Sequence, residues 1–187
     1  MQMRPDIQIR SILKAMSDVI LPAIDDQNQL AQEQARLCMG LLQLMSKQLP
    51  LQYRYDCDEL TRLLDMGQQL LALADGDAAS EASAAALKQG VALASQVRAR
   101  AMAEPQEVLE AVRQLRAVSG SFLQEAYAKA EIPTALERIV LDTSRAQLLR
   151  ERAWLVAQGW EARPEDLPDI GTLLAAVFDP STSTEAR

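Results

Sequence analysis

Apolar side chains recur every three or four positions along nearly the whole chain, which is the spacing of one face of an α-helix. The alternation of apolar and polar residues that is typical of β-strands is missing. The pattern therefore predicts an all-α protein, a single up-and-down type helical bundle of about six main helices plus a short C-terminal helix. We expect the bundle to occupy residues 1–178, with a division into two subdomains near 75–77 as the alternative, and residues 179–187 to form a frayed polar tail.

Breaks in the apolar pattern predict where these helices begin and end. Pro22 and Pro50 should each end or kink a helix, because proline lacks a backbone donor and clashes with the preceding turn. Asp56 with Glu59, and Thr134 with Glu137, have the spacing of a capping box. The main helices are expected from about Asp6 to Leu21, Asp26 to Leu49, Asp56 to Ala74, Ala78 to Met102, Glu104 to Ala126, and Thr134 to a stop at Gly159; the short final helix should contain Leu173, Leu174, Val177 and Phe178.

The apolar stripes also predict which side of each helix faces the core. The helix that begins at Glu104 has the most regular stripe, and the alanine-rich helix before it should let its neighbours approach closely. The expected inward residues are Ile9, Ile12, Leu13, Met16, Val19 and Ile20 in the first helix; Leu30, Leu37, Cys38, Leu41, Leu42, Met45 and Leu49 in the second; Leu60, Leu63, Leu64, Leu70 and Leu71 in the third; Val108, Val112, Leu115, Ser119, Phe122 and Ala126 in the fifth; and Leu136, Ile139, Val140, Leu149, Ala153 and Val156 in the sixth.

Composition narrows the chemistry that such a bundle can perform. None of the 187 residues is histidine, which excludes the usual catalytic zinc sites and the Ser-His-Asp and Cys-His nucleophile systems. We therefore expect no catalytic residue, no metal site and no cofactor, and we expect that the protein is not an enzyme. The densest carboxylate groups, Asp25–Asp26 and Asp56–Glu59, fall where helix N-caps are predicted; a carboxylate-only metal enzyme stays a third alternative.

The net charge, the N-terminus and the two cysteines indicate which partners the protein can bind and where in the cell it is located. Because the formal net charge is -7, the chain lacks the basic surface by which proteins bind nucleic acid. The N-terminus has no signal-peptide pattern and no apolar run approaches the ~18 residues of a spanning helix, so we expect a cytoplasmic protein of bacterial type with no membrane insertion. Cys38 is expected in the core, and Cys57 in the first turn of a helix, where Asp56 and Asp58 oppose thiolate formation.

Three arginines are the candidate binding residues of this sequence. Six arginines and lysines can be paired with an acidic residue three or four positions away, as on a solvated helix face, whereas Arg98, Arg116 and Arg152 have no such partner. An arginine among apolar residues must extend to solvent, form an ion pair with another helix, or bind an anion. These three positions are therefore the predicted anion site, with the extended or ion-paired arrangement as the alternative.

The segment Ile12–Ile24, followed by Gln32-Glu-Gln-Ala-Arg36 and the apolar run to Leu49, resembles the N-terminal part of a family of small uncharacterised bacterial helical proteins. Members of that family tend to be encoded beside aminoglycoside-phosphotransferase-like kinases and acyl-CoA dehydrogenases. The resemblance covers about 40 residues of a helical hairpin, and it implies a cytosolic accessory role in metabolism and no particular site residue.

The sequence thus predicts a cytosolic helical-bundle protein that acts by protein–protein contact, as a homo-oligomer such as a homodimer or as the accessory of a metabolic enzyme. The alternative hypothesis is a binding module for a small molecule, an apolar acyl-type ligand whose anionic head group is held by Arg98, Arg116 or Arg152.

Overall fold

The computed structural model describes residues 4–74, 80–100, 102–129 and 132–174. It is 83% helical, and no strand occurs among these residues, so the predicted all-α helical bundle is confirmed. The described residues divide into two compact units, one of residues 4–52 and 149–173 and one of residues 53–148 with Leu174. The expected break at 75–77 and the expected tail at 179–187 lie outside the described residues.

The first unit begins with a continuous helical stretch made of α1 (Pro5–Ala15), a π-helical turn (Met16–Ile20) and the short helix α2 (Leu21–Ala23). The π-helical turn ends two residues before Pro22, and the Leu21 N–H donates to the Met16 carbonyl five residues back. This wider turn accommodates the proline ring, which would clash with the carbonyl four residues earlier in a regular α-helix. The chain leaves the helix at Ile24.

The second predicted helix is α3 (Gln29–Gln48), which packs against α1. It begins three residues later than expected because Asn28 is the N-cap: its Oδ1 accepts a hydrogen bond from the Ala31 N–H at 3.1 Å. Near its end, Gln48 Nε2 donates to the Trp154 carbonyl at 3.3 Å.

The predicted inner face holds for half of the first helix and is largely wrong for the second. In α1 and the π-helical turn, Ile9 is buried and Leu13 and Met16 are half-buried, whereas Ile12, Val19 and Ile20 are exposed. In α3 the buried or half-buried apolar positions are Ala31, Ala35, Met39, Leu42 and Leu44. The exposed ones are Leu30, Leu37, Cys38, Leu41, Met45 and Leu49, all of which were expected in the core.

The second unit begins with α4 (Gln52–Ala74), which starts four residues before the predicted capping box. Tyr53 and Tyr55 are therefore helical, and Asp56 and Glu59 lie inside the helix. Tyr55 is buried, so its burial stabilises the added first turn. The capping signal was local, and tertiary packing overrode it.

The core of this unit lies between α4, α5 (Glu81–Ala99) and α6 (Pro105–Tyr127). Ser80 caps α5, and Glu104 and Glu107 form a capping box at the start of α6. The predicted stripe of α6 is confirmed, since all six of its residues are buried: Val108, Val112, Leu115, Ser119, Phe122 and Ala126. Close approach by α5 is also confirmed, because a Cβ placed on Gly90 would meet Val118 Cγ2 at 2.8 Å.

The last long helix is α7 (Thr134–Leu155), followed by two 3-10 turns (Val156–Gln158 and Pro164–Asp166) and the short helix α8 (Ile170–Leu173). Thr134 is the first helical residue, and the Glu137 N–H donates to the Pro133 carbonyl, so Thr134 is not the expected N-cap. Of its predicted inward residues, Leu136 and Ala153 are buried and Leu149 is exposed. Gly159 has φ +77°, the left-handed conformation expected of a helix stop. Val177 and Phe178 lie outside the described residues.

Candidate functional site

An exposed apolar stripe runs along α3 in the first unit. It consists of Leu30, Leu37, Leu41 and Met45, which are 69%, 48%, 54% and 54% exposed. Steps of seven and four residues place these side chains on one face of the helix. We call this surface the α3 stripe.

The opposite face of α3 accounts for this exposure. On that face Ala35 is buried and Leu42 is half-buried, and α3 packs against α1. An α-helix has room for only one inward stripe unless a second element covers its other side. Apolar residues occupy two faces of α3, and the described part of the chain leaves most of the face with the longer side chains in solvent. Near the end of the helix this face is covered, because Leu44 is buried and Gln48 donates to the Trp154 carbonyl.

Charge is absent from the α3 stripe. Its neighbours on the same face are Gln34 and Gln48, and Cys38 lies at its edge, exposed and as a free thiol. The charged residues of α3 are Glu33, Arg36 and Lys47, and at 100° per residue each lies about 70° or more from the centre of the stripe. Depletion of charge at the centre of an exposed apolar patch is typical of protein contact surfaces.

The three candidate arginines have separate partners within the chain. Arg98 Nε donates to Thr61 Oγ1 at 2.8 Å, and Arg116 Nη2 donates to Glu59 Oε1. Arg98 and Arg116 thus both reach α4, two residues apart, from α5 and α6. Arg116 therefore has the ion-paired arrangement, whereas the charged Arg98 donates to a neutral hydroxyl oxygen.

Arg152 belongs to the first unit and forms a two-pronged ion pair with Glu161. Its Nη2 donates to Glu161 Oε1 at 2.6 Å, and its Nε donates to Oε2 at 3.0 Å. This guanidinium holds the pKa of the Glu161 carboxyl below its usual value, through the hydrogen bond first and through charge second. This ion pair uses the edge of the guanidinium formed by Nε and Nη2, which would otherwise be available to an anion.

A different arginine on α7 is buried, and sequence reasoning missed it. Arg150 is 1% exposed, whereas Arg152 is exposed together with its apolar neighbours Leu148 and Leu155. The apolar residues around position 152 therefore lie on the surface of the protein and not in its core. Only the position of α7 relative to the elements packed on it distinguishes the two arginines, and no local spacing reports that.

Cys57 lies in a small polar cluster in the second unit. It is in the second turn of α4 rather than the first, four residues after Tyr53, whose hydroxyl donates to the Ala103 carbonyl at 2.9 Å. Burial raises the pKa of the Cys57 thiol, while its hydrogen bond with Tyr53 and the nearby Arg98 oppose that effect. The thiol is therefore held in its protonated and less nucleophilic form.

Two carboxylates of α4, those of Asp58 and Glu59, are buried and form ion pairs. Asp58 accepts from Arg62 Nε at 2.9 Å, and Glu59 accepts from Arg116. Within the described ranges, no three Asp, Glu or Cys side chains come together as metal ligands would. None of the helices in those ranges is long and apolar enough to cross a membrane.

An open groove of about 900 Å³ lies between the end of α5 and the start of α6. Its apolar lining includes Leu93, Val97 and Ala111, and its polar lining includes Arg100 and Glu110. None of the three candidate arginines lines it. Arg100 donates to Glu107 at 3.0 Å, so the one arginine of this groove already has a carboxylate partner.

Comparison with family models, curated proteins and solved structures found no match, so the family resemblance seen in the N-terminal helices stays a prediction.

Proposed function

We propose that this chain acts by protein–protein contact rather than by catalysis, and that the α3 stripe is its contact surface. The exposure of Leu30, Leu37, Leu41 and Met45 on one uncharged face is the observation that supports this function. Full burial of such a side chain is worth ~1.5–3 kcal/mol, so covering four half-exposed ones favours association by about 3–6 kcal/mol before its entropic cost.

The proposed partner is a second copy of the chain or a metabolic enzyme of the kind that the family resemblance implies, and the proposed location is the cytoplasm. Cys38 and Cys57 are both free thiols, which supports a reducing compartment. The interaction requires no cofactor, because surface burial alone supplies the affinity.

The test compares three versions of the full chain: wild type, Leu37→Glu/Leu41→Glu, and the control Leu141→Glu/Leu148→Glu. The control residues are 54% and 57% exposed, against 48% and 54% for the stripe residues. Native mass spectrometry of purified protein and affinity capture from lysate of the source cells report all complexes. We expect complexes with wild type and control and none with the stripe variant. Equal behaviour of all three versions would contradict the proposal.

The second candidate function is the binding of an apolar acyl-type ligand with an anionic head. The α5–α6 groove supports it by size, since ligand pockets span ~300–1,000 Å³. The Glu107 and Glu110 carboxylates of its lining oppose an anion, and Arg98, Arg116 and Arg152 lie outside its lining. Native mass spectrometry with fatty acids and acyl-CoA decides this function: a stoichiometric adduct lost in Arg100→Gln supports it, and no adduct contradicts it.

A further inference from the structure

We infer that α1 and α3 together form one uncharged face, and that this face binds a single amphipathic helix of a partner protein along the groove between the two helices. This inference rests on the proposed contact function and names the element that the partner contributes. It follows from the apolar residues that α1 adds to the α3 stripe, from the position of the charges on both helices, and from the size of the face.

The first helical stretch also exposes apolar side chains. Ile12 of α1 is 48% exposed, and Val19 of the π-helical turn is 65% exposed. Their seven-residue spacing places both on one side of this stretch. At about 100° per residue in the α-helix and somewhat less in the π-helical turn, both lie about 60–120° around the axis from Ile9, which is buried. The stretch therefore has one exposed apolar flank beside its buried side.

The exposed flanks of α1 and α3 lie on the same side of the hairpin. The two helices pack against each other and are joined by residues 24–28, so they run antiparallel. In an antiparallel pair, side chains displaced in the same rotational sense from the buried contact lie on the same side of the pair. Leu41 and Met45 are displaced by about 80–120° from the buried Ala35, in the same sense as the flank of α1. We call this shared surface the hairpin face; its residues are Gln8, Ser11, Ile12, Ala15 and Val19 of the first stretch and Gln34, Cys38, Leu41 and Met45 of α3.

The charged residues of both helices lie away from the hairpin face. In the first stretch, Arg10 donates to Asp6 and Lys14 donates to Asp18, both at 2.5 Å, on the other side of the helix. The charged residues of α3 are displaced from its buried side in the opposite sense, by about 100–160°: Glu33, Arg36 and Lys47. An occupant that brought a charge onto the hairpin face would bury it without a partner. The contacting side of the occupant is therefore apolar and uncharged.

The dimensions of the hairpin face favour one helix as its occupant. Helices in contact are ~8–10 Å apart, and an amphipathic helix can lay its apolar side into the groove between two of them. Ser11 and Ala15 have short side chains, which let a third helix approach α1. The 20 residues of α3 span about 30 Å, the length of about five helical turns. A single helix in this groove buries less than the ~800 Å² per partner of a standard interface, so we expect reversible binding with a dissociation constant on the order of 100 µM.

A synthetic helix is the probe for this site. It has about 18 residues, with leucine at every third or fourth position, alanine and glutamine beside the leucines, and equal numbers of lysine and glutamate on the opposite side only. Fluorescence anisotropy of the labelled peptide measures its affinity for the full chain. We expect one peptide per chain and the same affinity between about 50 and 500 mM salt, because no charge enters the contact.

Matched variants locate the binding site. We expect Ile12→Glu on α1 and Met45→Glu on α3 each to weaken peptide binding about tenfold or more. The control Leu141→Glu, at a position 54% exposed like Met45, should bind as wild type does. Circular dichroism checks that all three variants are folded. A solvatochromic dye on Cys38 of Cys57→Ser should shift to shorter wavelength when the peptide binds, since this exposed thiol lies on the hairpin face.

Other results overturn the inference in distinguishable ways. A peptide that wild type does not bind, or that Ile12→Glu binds as tightly as wild type, shows that the hairpin face takes no helix. If sedimentation velocity finds a wild-type dimer that Ile12→Glu abolishes, a second copy covers the face; the inference is then wrong while the proposed contact function holds. If complexes captured from lysate persist unchanged in Leu37→Glu/Leu41→Glu, the proposed function itself is wrong, whatever the peptide does.

Discussion

Gly90 of α5 lies directly against Val118 of α6, and a Cβ added to the glycine would come within 2.8 Å of Val118 Cγ2. Leu115 Cδ1, at 3.7 Å from that Cβ position, closes the other side. The second unit thus brings two helices together at a position where only a residue without a side chain fits. Valine has a stiff side chain, so this neighbour moves aside only at a cost in rotamer energy.

Gly90→Ala should therefore destabilise the fold even though alanine is the better helix former. Overpacking costs ~1–3 kcal/mol and the gain in helix propensity is about 1 kcal/mol, so we expect the free energy of unfolding to fall by about 0–2 kcal/mol. The control is Gly120→Ala on α6, where an added Cβ meets nothing within 4 Å; it should stabilise by about 0.5–1 kcal/mol. Urea unfolding measures both, and a stabilising Gly90→Ala would contradict the packing described.

Arg116 and Glu59 provide a second prediction. The Glu59 side chain is 9% exposed and the Arg116 side chain is 52% exposed, so Arg116→Met leaves a buried carboxylate without its guanidinium. We expect a loss of about 1–2 kcal/mol, reduced from a fully buried pair because solvent reaches the arginine. Arg113→Met, on an exposed position of the same helix, should change stability by less than ~0.5 kcal/mol.

The double variant Glu59→Gln/Arg116→Met completes the cycle. It removes the buried charge together with its partner, so its unfolding free energy should exceed that of Arg116→Met alone. If Arg116→Met is as stable as Arg113→Met, the ion pair contributes nothing to stability. Arg116 would then again be a candidate for binding an anion.

The two cysteines should differ in reactivity. Cys38 is exposed, whereas Cys57 is half-buried and burial raises its pKa. At pH 8 and low protein concentration, a disulfide reagent should modify one thiol per chain rapidly and the other roughly tenfold more slowly. Cys38→Ser should remove the fast phase and Cys57→Ser the slow one. A fast phase that persists in Cys38→Ser would place Cys57 at the surface.

Glu125 should give stability a dependence on acid pH. Its Oε2 accepts from the Ser80 hydroxyl at 2.7 Å and from the Ser80 N–H at 3.2 Å, and these bonds lower the pKa of the carboxyl. A carboxyl with a lowered pKa in the folded state stabilises the fold above its unfolded pKa of ~4.3, and that stability disappears as pH falls through the folded value.

Melting temperatures between about pH 3 and 7 for wild type and Glu125→Gln test this contact. The glutamine variant should melt at a lower temperature near neutral pH, and the two curves should converge at the acid end. Glu110→Gln on the same helix controls for the loss of a surface charge. A difference between wild type and Glu125→Gln that persists unchanged at pH 3 would assign the effect to packing rather than to ionisation.

The sequence correctly predicted the buried face of a helix where that helix has a single apolar face. The stripe from Val108 to Ala126 is the only apolar face of α6, so burial of that face followed from its spacing. In α3 the same method selected Leu30, Leu37, Leu41 and Met45, because longer side chains outweigh the alanines of the opposite face. The structure instead buries Ala35 on the smaller face, and α3 packs against α1.

The partners of the three candidate arginines could not be predicted from the sequence either. The sequence identified Arg98, Arg116 and Arg152 by the absence of a partner three or four residues away. Thr61, Glu59 and Glu161 are 37, 57 and 9 residues distant along the chain, so no helical spacing relates them to the arginines. Capping signals failed in the same way at Asp56, since a cap is defined within one turn and the burial of Tyr55 extended the helix past it.

The sequence by itself therefore determined the all-α fold, the approximate extent of its long helices, the core face of α6 and the exclusion of histidine chemistry. These features depend on residue identity and on periodicity within a few turns, which backbone geometry translates directly into structure. Only the tertiary structure decided which face of α3 packs, which arginine of α7 is buried and which acid each arginine meets. Those outcomes depend on contacts between residues far apart in the chain. The fold adopts the arrangement in which burial of apolar surface lowers the free energy most, and this cannot be predicted from the spacing of residues within one helix.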